Sequence, residues 1–242
     1  MKRALLVSDI HLAPERPELE SAFLGFLDGP ARAAGALYIL GDLFDAWLGD
    51  DDLISPAWQR IVQSLRDTAA RGTQIYLQQG NRDFLIGQDF ARACGLQLLP
   101  ETAFATLGEQ RTLLMHGDQL CLDDQAYQAW RRQARDPQWQ AQFLALPLEE
   151  RRAIAANLRQ TSDREKVGKP PQIMDVNQAA VAAAMRAAGV RRLIHGHTHR
   201  PARHAFELDA QSCERWVLPD WRPQGGYLEC TAESWITRVW PE

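Results

Sequence analysis

Five short apolar runs, each halted by a polar residue or a glycine, punctuate the chain: Ala4-Leu5-Leu6-Val7, Leu37-Tyr38-Ile39-Leu40, Ile75-Tyr76-Leu77, Thr112-Leu113-Leu114-Met115 and Arg192-Leu193-Ile194. Runs of this length and composition predict buried strands that end in loops. Between them the apolar period changes to that of helices. Glu18–Leu27 carries Leu19, Phe23, Phe26 and Leu27 at helical spacing, and Trp58–Ala69 is opened by Ser55-Pro56. Asp89–Cys94 predicts a short helix closed by Gly95, and Val176–Ala188 an alanine-rich helix ended by Gly189. Such a β-α-β rhythm predicts an α/β sheet flanked by helices. From Pro201 onward several antiparallel strands are expected, with turns at Asp209–Gln211 and Arg222–Gly226.

Near Tyr127 the pattern changes. Tyr127–Gln160 lacks strand character and carries three helical stripes: Tyr127, Trp130, Ala134; Trp139, Phe143, Leu144; and Ile154, Leu158. Pro137 and Pro147 divide it into about three helices. The adjoining Thr161–Pro171 is polar and reads as a loop. Between Tyr127 and Lys169 there are nine Lys/Arg against five Asp/Glu, so this segment carries a net +4 inside a chain of −4. It is either a solvated helical insertion or a basic, aromatic-rich cap that receives an anionic, partly apolar substrate.

A chain of 242 residues holds one large α/β domain, with room for that insertion. Its net charge of −4 gives no support to nucleic-acid binding, and no protein partner is expected. The scattered Cys94, Cys121, Cys213 and Cys230 form no Cys-x-x-Cys pair, which fits a reducing cytosol better than a zinc ribbon or a disulfide framework. Ala4–Val7 is too short for a signal-peptide core, and no later run approaches the ~20 residues of a membrane span, so a cytoplasmic protein is expected.

The chemistry follows the strands. The motifs Asp9-Ile10-His11, Gly41-Asp42-Leu43-Phe44-Asp45, Gly80-Asn81-Arg82-Asp83, His116-Gly117-Asp118 and Gly196-His197-Thr198-His199 all carry ligands for hard metal ions at predicted strand ends. Asp9 and His11, two residues apart, share a face if the strand continues through them, as do His197 and His199. Asp42 is either a carboxylate bridging two cations or a helix N-cap. Asn81 offers a neutral carbonyl oxygen or simply makes a turn, and His116 is a ligand or a core histidine. Asp45, Asp83 and Asp118 either orient imidazoles or cap turns. His195 enters the pocket or fills the core, and His204 reads as a surface residue. Taken together in order, the five motifs point to a two-metal hydrolase. Imidazole and carboxylate without thiolate point to Mn²⁺, Fe²⁺, Zn²⁺ or Mg²⁺ rather than a structural zinc; several histidines disfavour Mg²⁺, and Mn²⁺ is the first choice.

Arg82 adds a constraint on the substrate. A guanidinium cannot protonate an alkoxide, but it neutralises a departing phosphate through two parallel hydrogen bonds, which favours pyrophosphate cleavage. A generic phosphodiesterase of the same fold, or a catalytically silent binding subunit, are the competing readings.

The motif order resembles the calcineurin-like metallophosphoesterase superfamily. Within it, the stretches GDLFDAWLGDD, GNRDFLIG, LLMHGD and LIHGHTHRPA resemble the UDP-2,3-diacylglucosamine diphosphatase family of bacterial lipid A synthesis. The resemblance implies a four-layer sandwich of two mixed β-sheets flanked by helices. It implies one domain over 1–242, with a helical cap inserted at about 127–169. It implies two Mn²⁺, one held by Asp9, His11, Asp42 and His199, the other by Asp42, Asn81, His116 and His197. Substrate contacts are implied at Asn81, Arg82, Asp124, Ser162, Lys166, Lys169 and His197, with Asp42, Asn81, Arg82 and His116 in catalysis. The implied reaction is attack of water on the α-phosphate of UDP-2,3-diacylglucosamine, giving UMP and 2,3-diacylglucosamine 1-phosphate. On this reading Trp130, Trp139, Phe143, Leu144, Leu146, Ile154 and Leu158 line an acyl groove or pack the cap. The cap arginines would then face anionic headgroups in peripheral contact with the inner membrane.

Overall fold

The computed structural model describes residues 3–166, 173–222 and 224–241, with 160–166 given as helix alone. Eleven strands among these residues form two sheets. The first contains β1 (Ala4–Val7), β2 (Ala36–Leu40), β3 (Gln74–Gln78), β4 (Gln97–Leu99), β10 (Gly225–Cys230) and β11 (Trp235–Trp240). Its order is β11-β10-β1-β2-β3-β4, with β1 to β4 parallel and the other two antiparallel. The second contains β5 (Ala103–Leu107), β6 (Gln110–Leu114), β7 (Arg192–His195), β8 (Ala202–Leu208) and β9 (Gln211–Val217), ordered β5-β6-β7-β9-β8. Both sheets are mixed.

The strand period sorts the core into three layers. Leu5 and Val7 face one side of β1, where α1 (Pro17–Asp28), α2 (Gln59–Ala70) and α3 (Gln88–Cys94) pack through residues such as Phe23, Leu65 and Phe90. Leu6 faces the other side and meets Leu114, Ile194 and Leu228 between the sheets. Leu113 and Leu193 point outward onto α7 (Gln178–Ala188), against Val181 and Met185. Helix, sheet, sheet and helix therefore stack as four layers. The five predicted strands and the α1, α2, α3 and α7 helices all form. β4 and β5 were not anticipated.

The insertion folds as α4 (Gln125–Ala134), α5 (Pro137–Leu144) and α6 (Leu148–Lys166). Asp124 caps α4 by accepting from the Tyr127 amide at 3.1 Å, and Asp136 caps α5 with Pro137 in its first turn. The loop expected from Thr161 is corrected. α6 continues to Lys166 because neither Gly nor Pro interrupts the sequence before Gly168.

The tail also differs from expectation. Asp209 and Ala210, both left-handed, form the hairpin turn between β8 and β9 as predicted. β9, however, runs parallel to β7, and β10 lies in the other sheet. The predicted turn at Arg222–Gly226 is thus part of a crossover. Its anchor is Trp221, fully buried edge-on to Phe23 and Phe26.

Candidate active site

Every strand that feeds the site stops before its ligand. β1 ends at Val7, and Asp9 and His11 follow with φ of 55° and 56°; β7 ends at His195, and His197 and His199 follow with φ of 67° and 53°. The shared face expected from a strand pleat is therefore corrected: alternate left-handed residues bring each pair together. Asp42 is left-handed too, at 55°. Five of the seven expected ligands thus occupy a backbone region that L side chains rarely adopt, a cost of order 1–3 kcal/mol each that surrounding structure must impose. The turns are clamped accordingly: the Asp9 amide donates to the Gly41 carbonyl at 3.1 Å, His11 to Asp42 at 3.0 Å and Gly196 to His116 at 2.9 Å. Gly41 is sterically required, since a Cβ there would lie 2.5 Å from His116 Nδ1 and 2.7 Å from the Gly80 Cα.

The side chains converge as two groups around Asp42. His199 Nε2 lies 3.2 Å from Asp9 Oδ1 and 3.3 Å from His11 Nε2, and His11 Nε2 is 3.9 Å from Asp42 Oδ2. On the other side His116 Nε2 is 3.7 Å from Asp42 Oδ1 and 2.9 Å from Asn81 Oδ1, which is also 2.8 Å from His197 Nδ1. The two carboxylate oxygens of Asp42 thus face different groups, as a bridging ligand requires. His116 Nδ1 donates to the Leu40 carbonyl at 2.8 Å, which makes Nε2 the ring nitrogen that faces the site.

Electrostatics agree with a cation-seeking site. Burial would raise the Asp9 carboxyl, but the His199 hydrogen bond and the nearby imidazoles hold it far below the usual range. Burial pushes Asp42 up, partly opposed by His116. Burial would lower His116, yet Asp42, Asp9 and Asp118 raise it to about 9. The Asp42–His116 pair therefore retains a proton near neutral pH, standing where positive charge is wanted. Burial keeps His11 and His197 neutral, at about 2 and about 3, as imidazole ligands must be. Asp9, His11 and His199 form one set of ligand atoms within 4.8 Å of one another, and Asp9, Asp42 and His116 a second. Facing imidazole nitrogens, buried acids and no thiol fit two divalent cations. Such a site suits hydrolysis at phosphorus.

The family model for calcineurin-like phosphoesterases matches residues 2–201. The chain is 51% identical to the UDP-2,3-diacylglucosamine hydrolase of Chromohalobacter salexigens, over 92% of this chain and 90% of that protein. For the proteins of the same name from Aromatoleum aromaticum and Pseudomonas aeruginosa the identities are 48% and 50%, covering 93% and 95% of this chain and 91% and 95% of theirs. The chain belongs to the calcineurin-like phosphoesterases, in the UDP-2,3-diacylglucosamine hydrolase family.

This calcineurin-like centre has surroundings that the sequence read only in part. The Arg82 amide donates to Asp42 Oδ1 at 2.8 Å, and its guanidinium is close enough to depress the pKa values of His11 and Asp42. Asp83 proves to be a turn brace, accepting from the amides of Gly80 and Leu43 at 2.7 Å each. Asp45 Oδ1 lies 3.6 Å from His11 Nδ1. His195 fills the core, with Nε2 3.0 Å from buried Arg215, and His204 is exposed. Asp124 serves the α4 cap described above. The side chains of Ser162 and Lys166 are not described, and Lys169 lies outside the described residues.

Five of the cap arginines face inward. Of the nine basic residues counted there, five bind acids or carbonyls of the body or of the loop beneath. Arg131 donates to Asp118 at 2.8 Å, and Arg135 to the Gly80 carbonyl at 2.9 Å. Arg152 pairs with Asp52 at 2.8 Å, Arg151 holds Asp51 and the Leu48 carbonyl, and Arg159 holds Asp45. Tyr127 stacks on His197 at 5.8 Å and donates to Asp118 at 3.1 Å. Tyr127, Arg131 and Arg135 fall at i, i+4 and i+8, a helical face that carried the signal and was eclipsed by the apolar stripe beside it. Trp139, Leu146 and Ile154 pack onto the main core with buried Phe143, whereas Leu144 and Leu158 are exposed.

Proposed function

We propose that this chain hydrolyses the pyrophosphate bond of UDP-2,3-diacylglucosamine, releasing UMP and 2,3-diacylglucosamine 1-phosphate, a step of lipid A synthesis. The observation that carries the reading is Asp42, whose two oxygens separately face the Asp9–His11–His199 and Asn81–His116–His197 groups. The name borne by relatives about 50% identical over most of the chain supplies the substrate class.

Two cations, Mn²⁺ by preference, would polarise a phosphoryl oxygen and lower the pKa of water at this site. Asp9, His11, Asp42 and His199 would hold one, and Asp42, Asn81, His116 and His197 the other. Arg82 neutralises charge on the departing sugar phosphate, where its planar fork suits two phosphate oxygens. Asn81 and His197 orient the nucleotide diphosphate. Asp124, Ser162, Lys166 and Lys169 belong to the substrate set by resemblance alone. No helix among the described residues is long and apolar enough to cross a membrane. In this reading the acyl chains enter beneath the cap, and docking on the inner membrane is peripheral. Exposed Ile54, Leu144 and Leu158 supply apolar contact.

The test is Mn²⁺-dependent UMP formation from UDP-2,3-diacylglucosamine by the wild type and by His11→Ala. Turnover by the wild type that vanishes in the variant, with the melting curve of the chelated protein preserved, is the expected result. Turnover retained by His11→Ala would refute the ligand assignment, and a wild type active only on generic diesters would refute the substrate.

A further inference from the structure

His199 is contested from behind by two groups that no motif announced. Its Nε2 faces Asp9 and His11, whereas its Nδ1 lies 3.5 Å from Asp220 Oδ2 and 3.5 Å from Arg222 Nη2. The two neighbours ask opposite things of the ring. A carboxylate accepts a hydrogen bond and so favours a proton on Nδ1; a guanidinium only donates and so favours a lone pair there. A neutral imidazole carries one proton, so the choice at Nδ1 fixes the state of Nε2.

The segment that presents both groups is held firmly. Leu218 donates to the His195 carbonyl at 2.8 Å, and Trp221 donates to the Asp9 carbonyl at 3.2 Å while its ring is buried between Phe23 and Phe26. Asp220 is thus carried on the same backbone clamp that fixes a metal ligand. The half-buried carboxylate is only 19% exposed, whereas Arg222 is exposed.

We propose that Asp220 is a positioning residue for the metal site: it accepts the Nδ1 proton of His199 and so presents the Nε2 lone pair to the cation, while Arg222 opposes that state. The proposal rests on the dimetal reading above. With a cation on Nε2, Nδ1 must bear the proton, and its partners are then Asp220, which can accept it, and Arg222, which cannot. Loss of Asp220 leaves two donors facing one another.

The experiment titrates Mn²⁺ calorimetrically into the metal-free full chain of the wild type, Asp220→Ala, Asp220→Asn, Arg222→Ala and the Asp220→Ala/Arg222→Ala pair. Asp220→Ala is expected to weaken one of the two cation affinities about 10- to 100-fold, the range for loss of a ligand's outer partner. Asp220→Asn keeps an accepting oxygen and retains most of the affinity. Removing Arg222 from the Asp220→Ala background restores part of the loss, a recovery that simple structural damage would not give. Asp220→Ala binding two cations like the wild type would overturn the assignment alone. Equal weakening by Ala and Asn, or no recovery in the double variant, would also overturn it. A wild type that takes up no cation would remove the dimetal reading and this assignment together.

Discussion

The strand-end turns and the cap both bring charged groups to one site, but by different means. At the turns the backbone does the placing: Asp9, His11, Asp42, His197 and His199 take left-handed conformations clamped by amide–carbonyl bonds between neighbouring turns. In the cap, side chains do it. Arg131, Arg135, Arg151, Arg152 and Arg159 reach from helices to acids and carbonyls some 13 to 114 residues away in sequence. The first arrangement gives a site fixed before substrate arrives. The second gives a cover whose seat depends on a handful of ion pairs, each separable by substitution. Metal binding should therefore survive damage to the cap, and cap seating should survive loss of the metal ligands.

The sharpest way to break this contrast is at Asp42. Asp42→Asn keeps the left-handed preference and an oxygen for the Arg82 amide, yet removes the bridging charge. Loss of several kcal/mol of transition-state stabilisation, about 10³-fold or more in kcat/KM, is expected. The chelated variant should melt lower than the chelated wild type at neutral pH, because the acid that does most to lift His116 has gone. A melting temperature that rises instead would mean that repulsion between the buried Asp42 and Asp9 carboxylates outweighs the pairing with His116.

Next in size is Arg82→Ala. If the guanidinium neutralises the departing phosphate, kcat on the nucleotide-lipid should fall about 10²- to 10³-fold, the usual loss for one donor aimed at developing charge. Mn²⁺ affinity should stay near that of the wild type, since only the backbone amide of Arg82 touches a ligand. Full activity would return the choice to a generic phosphodiesterase.

Arg151→Ala addresses the cap itself. This arginine is 1% exposed and joins α6 to Asp51 and the Leu48 carbonyl. Asp51 is itself more than half exposed and can hydrate when abandoned, so the expected cost is about 2–3 kcal/mol from the lost charged hydrogen bonds and the lost packing of the side chain's stem. Limited proteolysis should cut within α4–α6 faster than in the wild type, with both cation affinities intact. Cation affinities that fall together with cap protection would show that the two regions are one unit.

The same contrast explains what could be read in advance. Gly41-Asp42, Gly80-Asn81 and Gly196-His197 announce themselves because their chemistry and their turn are encoded side by side. The left-handed φ values of Asp42 and His197 are not legible, since they arise among turns distant in sequence that hydrogen-bond to one another. Asp83 and Asp118 sit next to ligands, yet one braces backbone amides and the other receives Tyr127 and Arg131, a distinction that adjacency alone cannot make. Asp220 carried no local signal at all, because it meets His199 only once the β8–β9 hairpin has brought the chain back alongside β7.

The smallest effect expected is a pH dependence that separates ligand chemistry from cap ion pairs. His116 is lifted from an ordinary 6.5 to about 9, because the nearby acids overcome burial. Below 6.5 both folded and unfolded chains carry this proton, and its stabilising contribution is fully present. Between 6.5 and 9 only the folded chain carries it, so the contribution is lost as pH rises through that window. His11, His195 and His197, lowered by burial to about 2, 4 and 3, are neutral in the folded chain and oppose the slope just above 6.5, until their unfolded-state protons are gone. The melting temperature of the chelated protein should accordingly decline over the upper part of that window, toward pH 9, by about 2–4 °C for each kcal/mol at this chain length. Saturating Mn²⁺ should flatten the decline, because cations fill a ligand set that no longer needs protons. His116→Gln should flatten it without metal. Parallel declines in chelated and loaded protein would locate the slope outside the centre, among groups that the cations do not touch.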